Sequence, residues 1–304
     1  MHPALSIIVF TITSGLGYGW VAISVFLELS GLAPAGDPGA RALSGGLALA
    51  LITLGLLCST AHLANPRNAW RSVLRIRTSW LSREAVLALA FYPVFVAYLA
   101  AMPGGGLAAM LGWLSVIVAL GTILCTAMIY ACLRTIRQWR TPLTPFNFLT
   151  MALALGGLCE LVFRSFSGAP VDGASTLVMS FMLLAFAGKL AYYLSLGLPP
   201  AQGIGTATGL RMATVRLLDV GHTAGTFLTD EFGFQISRAL LITLRLICLV
   251  TGFVIPALIV ARLSAPPLLV LGLLLALLGS LVERWLFFAE AQHVVRLYHG
   301  QQET

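Results

Sequence analysis

The sequence predicts an all-α, polytopic membrane protein: a bundle of eight transmembrane helices with both termini in the cytoplasm. Three observations carry that expectation. Hydrophobic residues make up 59% of the 304 residues and charged residues only 10%, with a mean hydropathy of +0.94. A soluble chain of this length carries about 25% charged residues. Apolar runs repeatedly reach the roughly 20 residues that cross a bilayer as a helix. They are continuously apolar rather than alternating, which excludes a closed β-barrel. The arginines, finally, gather in every second connection between those runs.

In chain order, the first run covers about 4–29. It follows Met1-His2-Pro3-Ala4, with no basic segment before it and no small-residue cleavage site after it, so it is expected to be a retained span rather than a signal peptide. Gly15, Gly17 and Gly19 within it argue for close helix packing. Runs two to four cover about 43–64, 84–102 and 107–133, the last two joined by Pro103-Gly104-Gly105-Gly106. Runs five to eight cover about 146–166, 173–197, 239–261 and 266–289, the last pair separated by Ser264-Ala265-Pro266-Pro267. Residues 1–304 form a single integral membrane domain on this reading.

Charge sets the orientation. The connection after the second run carries Arg67, Arg71, Arg75, Arg77 and Arg83, the one after the fourth Arg134, Arg137 and Arg140, and the one after the sixth Arg211, Arg216 and Arg238. The other side holds chiefly Asp37, Arg41, Asp172 and Arg262. The positive-inside rule therefore puts both termini and the even-numbered connections in the cytoplasm. Two of these connections read as docking surface: the basic loop 65–83 and the long loop 198–238, about 40 residues, well beyond a simple helix connection. The long loop mixes charge and apolar groups in Gly209–Asp219 and Asp230–Phe234, a pattern that also suits an interfacial amphipathic helix.

Cysteine and histidine usage excludes several cofactors. The five cysteines, Cys58, Cys125, Cys132, Cys159 and Cys248, all lie in apolar runs and form no CxxC. Neither an iron–sulfur cluster nor a zinc site is expected, and the thiols read as small hydrophobes. The five histidines, His2, His62, His222, His293 and His299, are terminal, in loops or at a span end. No two can face each other inside the bundle, so a bis-histidine haem is excluded.

Ionisable groups inside spans are costly and default to functional candidates. Glu28, Glu160, Arg164, Lys189, Arg245, Glu283, Arg284 and Glu290 qualify by position. Glu160 and Arg164 are four apart and can neutralise each other along one helix face. Lys189 and Arg245 are expected near span ends, where they can snorkel. Glu283, Arg284 and Glu290 are expected around the cytoplasmic end of the last span, where the two carboxylates can meet the arginine loops. His62 and Glu84 are the stronger pair. An imidazole at the end of the second span, with Ser59 on the same helix face, confronts a carboxylate at the start of the third across one basic loop. Ser82 is the expected cap of that third helix, with Arg83 and Glu84 in its first turn. An imidazole and a carboxylate at a membrane surface suit the two-proton, two-electron chemistry of a quinone. Glu84 can equally be a favourable charge at a helix N-terminus.

The run Ser59-Thr60-Ala61-His62-Leu63, Pro66-Arg67-Asn68-Ala69-Trp70 and Ser79-Trp80-Leu81-Ser82-Arg83-Glu84 resembles the membrane-anchor subunits of the dimethyl sulfoxide reductase type. So do Glu283–Glu290 and the eight-span plan, and the likeness covers essentially the whole chain. It implies an anchor for a molybdopterin catalytic subunit and a ferredoxin-like iron–sulfur subunit, exchanging electrons with a quinone (ubiquinone or menaquinone). Molybdopterin and clusters belong to the partners, and no haem is carried. The resemblance puts the family's quinone-site histidine and glutamate on His62 and Glu84. Ser59, Trp80 and Arg83 are candidate wall or head-group contacts, and Arg67, Arg71, Arg75 and Arg77 would grip the soluble partner. Tyr92 and Tyr98 could line the site or simply pack.

Anchors that serve sulfoxide reduction usually hold their catalytic subunits outside, whereas the arginine bias here puts the docking face inside. The opening Met1–Ser6 and Thr13–Gly19 look like the branch linked to cytoplasmic sulfite dehydrogenases, which implies sulfite oxidation coupled to quinone reduction in the inner membrane of a bacterium. Alternatives are a quinol-oxidising anchor of a dimethyl sulfoxide reductase-like enzyme, a purely structural anchor, and a small-molecule transporter using Glu160, Lys189 and Arg245. No paired interrupted spans support the last, and no nucleic-acid partner is expected.

Overall fold

A computed structural model describes residues 3–33, 37–61, 66–196, 203–210, 215, 218–219, 237–262 and 265–299. Eight helices in it are long and apolar enough to cross a membrane: α1 (Leu5–Ser30), α2 (Pro38–Ala61), α3 (Trp80–Ala100), α4 (Gly106–Ala131), α5 (Leu143–Ser167), α6 (Asp172–Leu196), α7 (Arg238–Arg262) and α8 (Pro266–Ala289). Their sequences are apolar all round, as helices that face lipid on one side and other helices on the other require. The expected all-α plan of eight spans is thus observed, with ends within a few residues for most spans and up to five for α2.

Helices α1 and α5 form the centre. In each, 72% of the most apolar stretch is buried, against 28% for α2, α3 and α7. Small residues make this possible, because association within lipid depends on close backbone approach. A methyl group on Gly19 would stand 1.9 Å from the Ala152 carbonyl oxygen, and one on Gly156 2.1 Å from the Trp20 nitrogen. Around this pair, α2, α4 and α8 also pack on α1, α3 packs on α4, and α7 and α8 pair beside α5 and α6.

Two irregularities have local causes. Residues Val250–Val254 of α7 form a π-turn. Pro256 lacks an N–H for the Gly252 carbonyl and would clash with it in a regular helix, and the wider turn relieves both. At the other end, the connection after α4 meets the segment after α8. Ile136 bridges to His293, Val294 N donates to the Thr135 carbonyl (2.9 Å) and Trp139 Nε1 donates to the Phe287 carbonyl (2.8 Å). The last turns of α4 and α8 therefore share one side of the bundle.

The buried charges depart from expectation. Lys189 does not snorkel; it is 1% exposed and pairs with Glu283, itself fully buried. Glu283 Oε2 also lies 3.3 Å from Arg284 Nε. Arg245 forms a two-pronged pair with Glu290, at 3.1 and 2.5 Å. So Glu283 and Glu290 meet α6 and α7 rather than the arginine loops. A carboxylate at that depth needs a cation within the bundle, since an unpaired buried charge is far more costly. Glu160 does pair with Arg164 as expected (2.7 Å), and Trp20 Nε1 donates to its other oxygen (2.8 Å).

Candidate functional site

The segment joining α2 to α3 contains a run of 3₁₀ turns, Pro66–Arg75. It ends on a serine cap: Ser79 Oγ accepts from Ser82 N at 3.3 Å, starting α3 at Trp80. This corrects the expected cap. Ser82 lies inside the helix and is buried, donating to the Ser72 carbonyl and accepting from Arg75 N (3.2 Å). Because the helix starts earlier, Glu84 stands beyond its first turn, away from the free N–H groups that a terminal charge would stabilise. Ser82 instead fastens the 3₁₀ segment against α3.

Beneath that segment lies a cavity of about 460 Å³ between α1, α2 and α3. Phe10, Leu56, Ala85, Ala88 and Leu89 give it apolar walls, and Ser59, Thr60, Asn68, Ser72 and Glu84 supply its polar groups. Trp70, Leu81 and Leu89 on its margin are exposed. Glu84 itself is 5% exposed and accepts a hydrogen bond from Thr126 Oγ1 of α4 at 2.5 Å. Volume and lining match pockets that take small organic ligands, mostly apolar with a few placed polar groups.

Of the expected site residues, the cavity brings together Ser59 and Glu84. Trp80 and Arg83 are not in its lining. The Arg83 guanidinium lies 4.2 Å from the Trp80 ring and donates to the carbonyls of Ile76 (2.9 Å) and Arg77 (2.8 Å), holding the end of the loop. His62 lies outside the described residues; Thr60, two positions before it, lines the cavity. Arg67, Arg71, Arg75 and Arg77 are all exposed. Tyr92 and Tyr98 are engaged elsewhere, with Thr53 (2.8 Å) and Glu28 (2.7 Å) respectively. Most of the loop 198–238 also falls outside the described residues; within it, the short helix Ile204–Thr208 packs against Val294–His299. Thr126 went unpredicted, although Thr122 and Thr126, one turn apart in an apolar helix, are a visible signal.

An eight-helix bundle with a ligand-sized cavity at the end of two spans, beneath an arginine-rich segment, defines a class: multi-pass integral membrane proteins. The chain belongs to the family described as DMSO reductase anchor subunit (DmsC), which it matches over residues 1–289. It is also similar to a sulfite dehydrogenase subunit of Allochromatium vinosum, 35% identical over 323 residues that span 98% of this chain and 99% of that protein. The protein is accordingly a membrane-anchor subunit of a molybdopterin oxidoreductase, as the motif around the second and third spans implies.

Proposed function

We propose that this chain passes electrons between a ferredoxin-like iron–sulfur subunit and the quinone pool of a bacterial inner membrane, and that the molybdopterin partner oxidises sulfite so that quinone is reduced. The observation that carries the reading is the 460 Å³ cavity: it has Glu84 in its wall and lies directly under the exposed arginines of the 65–83 loop. A quinone bound there supplies the two-electron, two-proton couple. The apolar walls of α2 and α3 would take the ring and the start of its tail, and Ser59 and Asn68 offer hydrogen bonds to its oxygens. Glu84 donates the proton that the reduced oxygen takes up, and His62 holds the other oxygen and serves it likewise. Arg67, Arg71, Arg75 and Arg77 seat the iron–sulfur subunit on the cytoplasmic face, which is also where both termini lie on the arginine bias. The name of the Allochromatium vinosum relative supports sulfite as the partner's substrate.

The test is sulfite-driven reduction of a short-chain ubiquinone analogue by the purified complex. Glu84→Gln and His62→Ala should each lower turnover on the order of 100-fold, the scale of one acid–base group, while molybdenum and iron still co-purify. Wild-type turnover and quinone affinity in both variants would remove the site assignment. Reduction of dimethyl sulfoxide by added quinol, without sulfite oxidation, would reverse the direction of electron flow.

A further inference from the structure

Glu84 also has an inner side. Thr126, which donates to its Oε1, is at the same time a wall of a second, smaller cavity between α1, α4, α5 and α8. This chamber holds about 20 Å³, is lined almost wholly by buried residues, and presents the polar groups of Thr126, Tyr18, Ser14, Ser280 and Arg284. An ordered water needs about 10–15 Å³ and two to four polar partners. The chamber offers both. Tyr18 is 2% exposed, and its hydroxyl makes no hydrogen bond of standard geometry among the described residues; the Thr122 hydroxyl nearby is turned to the Val118 carbonyl (2.8 Å). Such an orphan is unfavourable unless water completes it.

Thr126 can serve Glu84 in either protonation state. Its Oγ1 lies 2.5 Å from the carboxylate and 3.1 Å from the Thr122 carbonyl, yet one hydroxyl proton satisfies one acceptor at a time. With Glu84 ionised, Thr126 donates to it. With Glu84 protonated, Thr126 accepts from the acid and turns its own proton to Thr122. Beyond the chamber runs a row of buried charges: Arg284 beside Glu283 (3.3 Å), Glu283 on Lys189, then the Tyr193 ring, whose centroid lies 4.9 Å from Lys189 and 5.0 Å from Arg245, and finally Glu290, paired with Arg245. Arg245, at 24% exposure, brings the row to the edge of the bundle.

We propose that Glu84 is reprotonated from inside the bundle, through Thr126 and a water held in this chamber by Tyr18 and Arg284, and not through the lipid-facing cavity. The inference rests on the quinone-site reading of Glu84. In the step, the Thr126 proton passes to Glu84 Oε1 as the chamber water gives a proton to Thr126 Oγ1. The negative charge this leaves on the water is stabilised by the Arg284 guanidinium, and the proton is restored from the aqueous end of the charged row. The net change is one proton moved from water to Glu84. A fixed cation disfavours an extra proton in the chamber but favours a missing one, so the arrangement suits delivery to the site, as quinone reduction requires.

The test uses the complex with its partner subunits, sulfite as donor and a short-chain ubiquinone analogue as acceptor. Thr126→Val should slow kcat on the order of tenfold with the quinone KM unchanged and a larger solvent deuterium isotope effect, and Thr126→Ser should restore both. Tyr18→Phe should slow kcat with little change in melting temperature, because the hydroxyl makes no hydrogen bond of standard geometry to the described residues and only its contact to the water is lost. A cryo-EM map of the complex should show a water between Thr126, Tyr18 and Arg284. Wild-type kcat in Thr126→Val and Tyr18→Phe alongside a slow Glu84→Gln enzyme, or a dry chamber, would overturn the inner route alone. Wild-type kcat in Glu84→Gln would overturn the site and the route together.

Discussion

Lys189, Glu283 and Arg284 make an asymmetric test of what holds the second half of the bundle together. The one carboxylate is shared by two cations, since Glu283 bonds Lys189 through Oε1 and lies 3.3 Å from Arg284 through Oε2. All three side chains are at most 5% exposed. Breaking a buried ion pair by removing one partner costs about 3–5 kcal/mol, because a charge is left uncompensated. Lys189→Met leaves Glu283 with Arg284, so its cost belongs at the lower end, about 3 kcal/mol. Glu283→Gln strands two cations at once and belongs at about 5 kcal/mol or above. The double substitution leaves only Arg284, whose guanidinium rests 3.7 Å from the Phe148 ring centroid. Its cost should fall below that of Glu283→Gln alone, a strongly non-additive cycle. At roughly 2 °C per kcal/mol for a chain of this size, the melting temperature should drop by about 6 °C for Lys189→Met and about 10 °C for Glu283→Gln. Heating membranes that contain a fluorescent fusion of the chain, then scoring the folded fraction by size exclusion in mild detergent, measures this. A Lys189→Met variant as damaged as Glu283→Gln, or a double variant worse than either single, would refute the shared-carboxylate account.

Three further outcomes follow from the same structure. Gly19→Ala should prevent normal α1–α5 packing, its methyl being 1.9 Å from a backbone oxygen, whereas Gly46→Ala meets nothing within 4 Å and should stabilise by about 0.5–1 kcal/mol through helix propensity; expression and thermal stability of the two should move in opposite directions. His293 follows the last span, and partial burial holds its pKa below the ordinary 6.5, while its Nδ1 accepts from Val295 N at 3.1 Å. The unfolded chain then binds the proton more readily, so the contribution of His293 is present above pH 6.5 and is lost as pH falls through the depressed folded value; His293→Gln should flatten the acid side of a melting-temperature profile below pH 6.5. On the proposed docking, Arg71→Glu/Arg75→Glu should release the iron–sulfur subunit, with the loss in the wild type growing with salt; undiminished co-purification of the variant at about 150 mM salt, where the Debye length is about 8 Å, would place docking elsewhere.

What the sequence made legible followed from local rules. Span positions come from apolar length, so α5, read at about 146–166, is observed at Leu143–Ser167. Gly15, Gly17 and Gly19 announced close packing because small residues inside an apolar span allow backbone approach, and Gly17 and Gly19, two apart and so on opposite faces of α1, meet α2 and α5 respectively. Glu84 stood out as a carboxylate at the start of the third span, across a basic loop from His62. Pairings set by tertiary structure were not legible. Glu283 lies 94 positions from Lys189, and nothing local distinguishes a lysine that reaches a carboxylate from one that snorkels. Ser82 was misjudged by a small shift of helix start: Ser79 and Ser82 are both plausible caps by type, and the choice depends on the carbonyl of Ser72, fixed only once the 3₁₀ segment folds back. Thr126 needed the packing of α4 on α3 to acquire its partner.

The location of the cavity follows from how unevenly the helices are buried. A ligand that travels in the bilayer must enter sideways, between helices, and such a gap is incompatible with the tight glycine contacts of α1 and α5. It is compatible with α2 and α3, which are each 28% buried over their most apolar stretch and touch each other only sparsely. Their separation is wedged open at one end by the Pro66–Arg75 segment, which Ser82 ties to α3, and Arg83 ties the turn that follows it through Ile76 and Arg77. The same tie fixes the basic surface relative to the cavity, so a protein seated on the arginines is held at a set distance from whatever occupies the pocket. On the proposed reading, electron transfer to a mobile ligand uses that combination, a loose lateral entrance under a rigid roof. Severing the tie while leaving the cavity lining intact separates the two requirements. Arg83→Ala removes two hydrogen bonds to loop carbonyls and no lining residue. Ligand affinity should hold while the rate of electron delivery falls, readable as an unchanged quinone KM with a lowered kcat. A raised KM with kcat intact would make Arg83 a contact of the ligand itself, although it does not line the cavity.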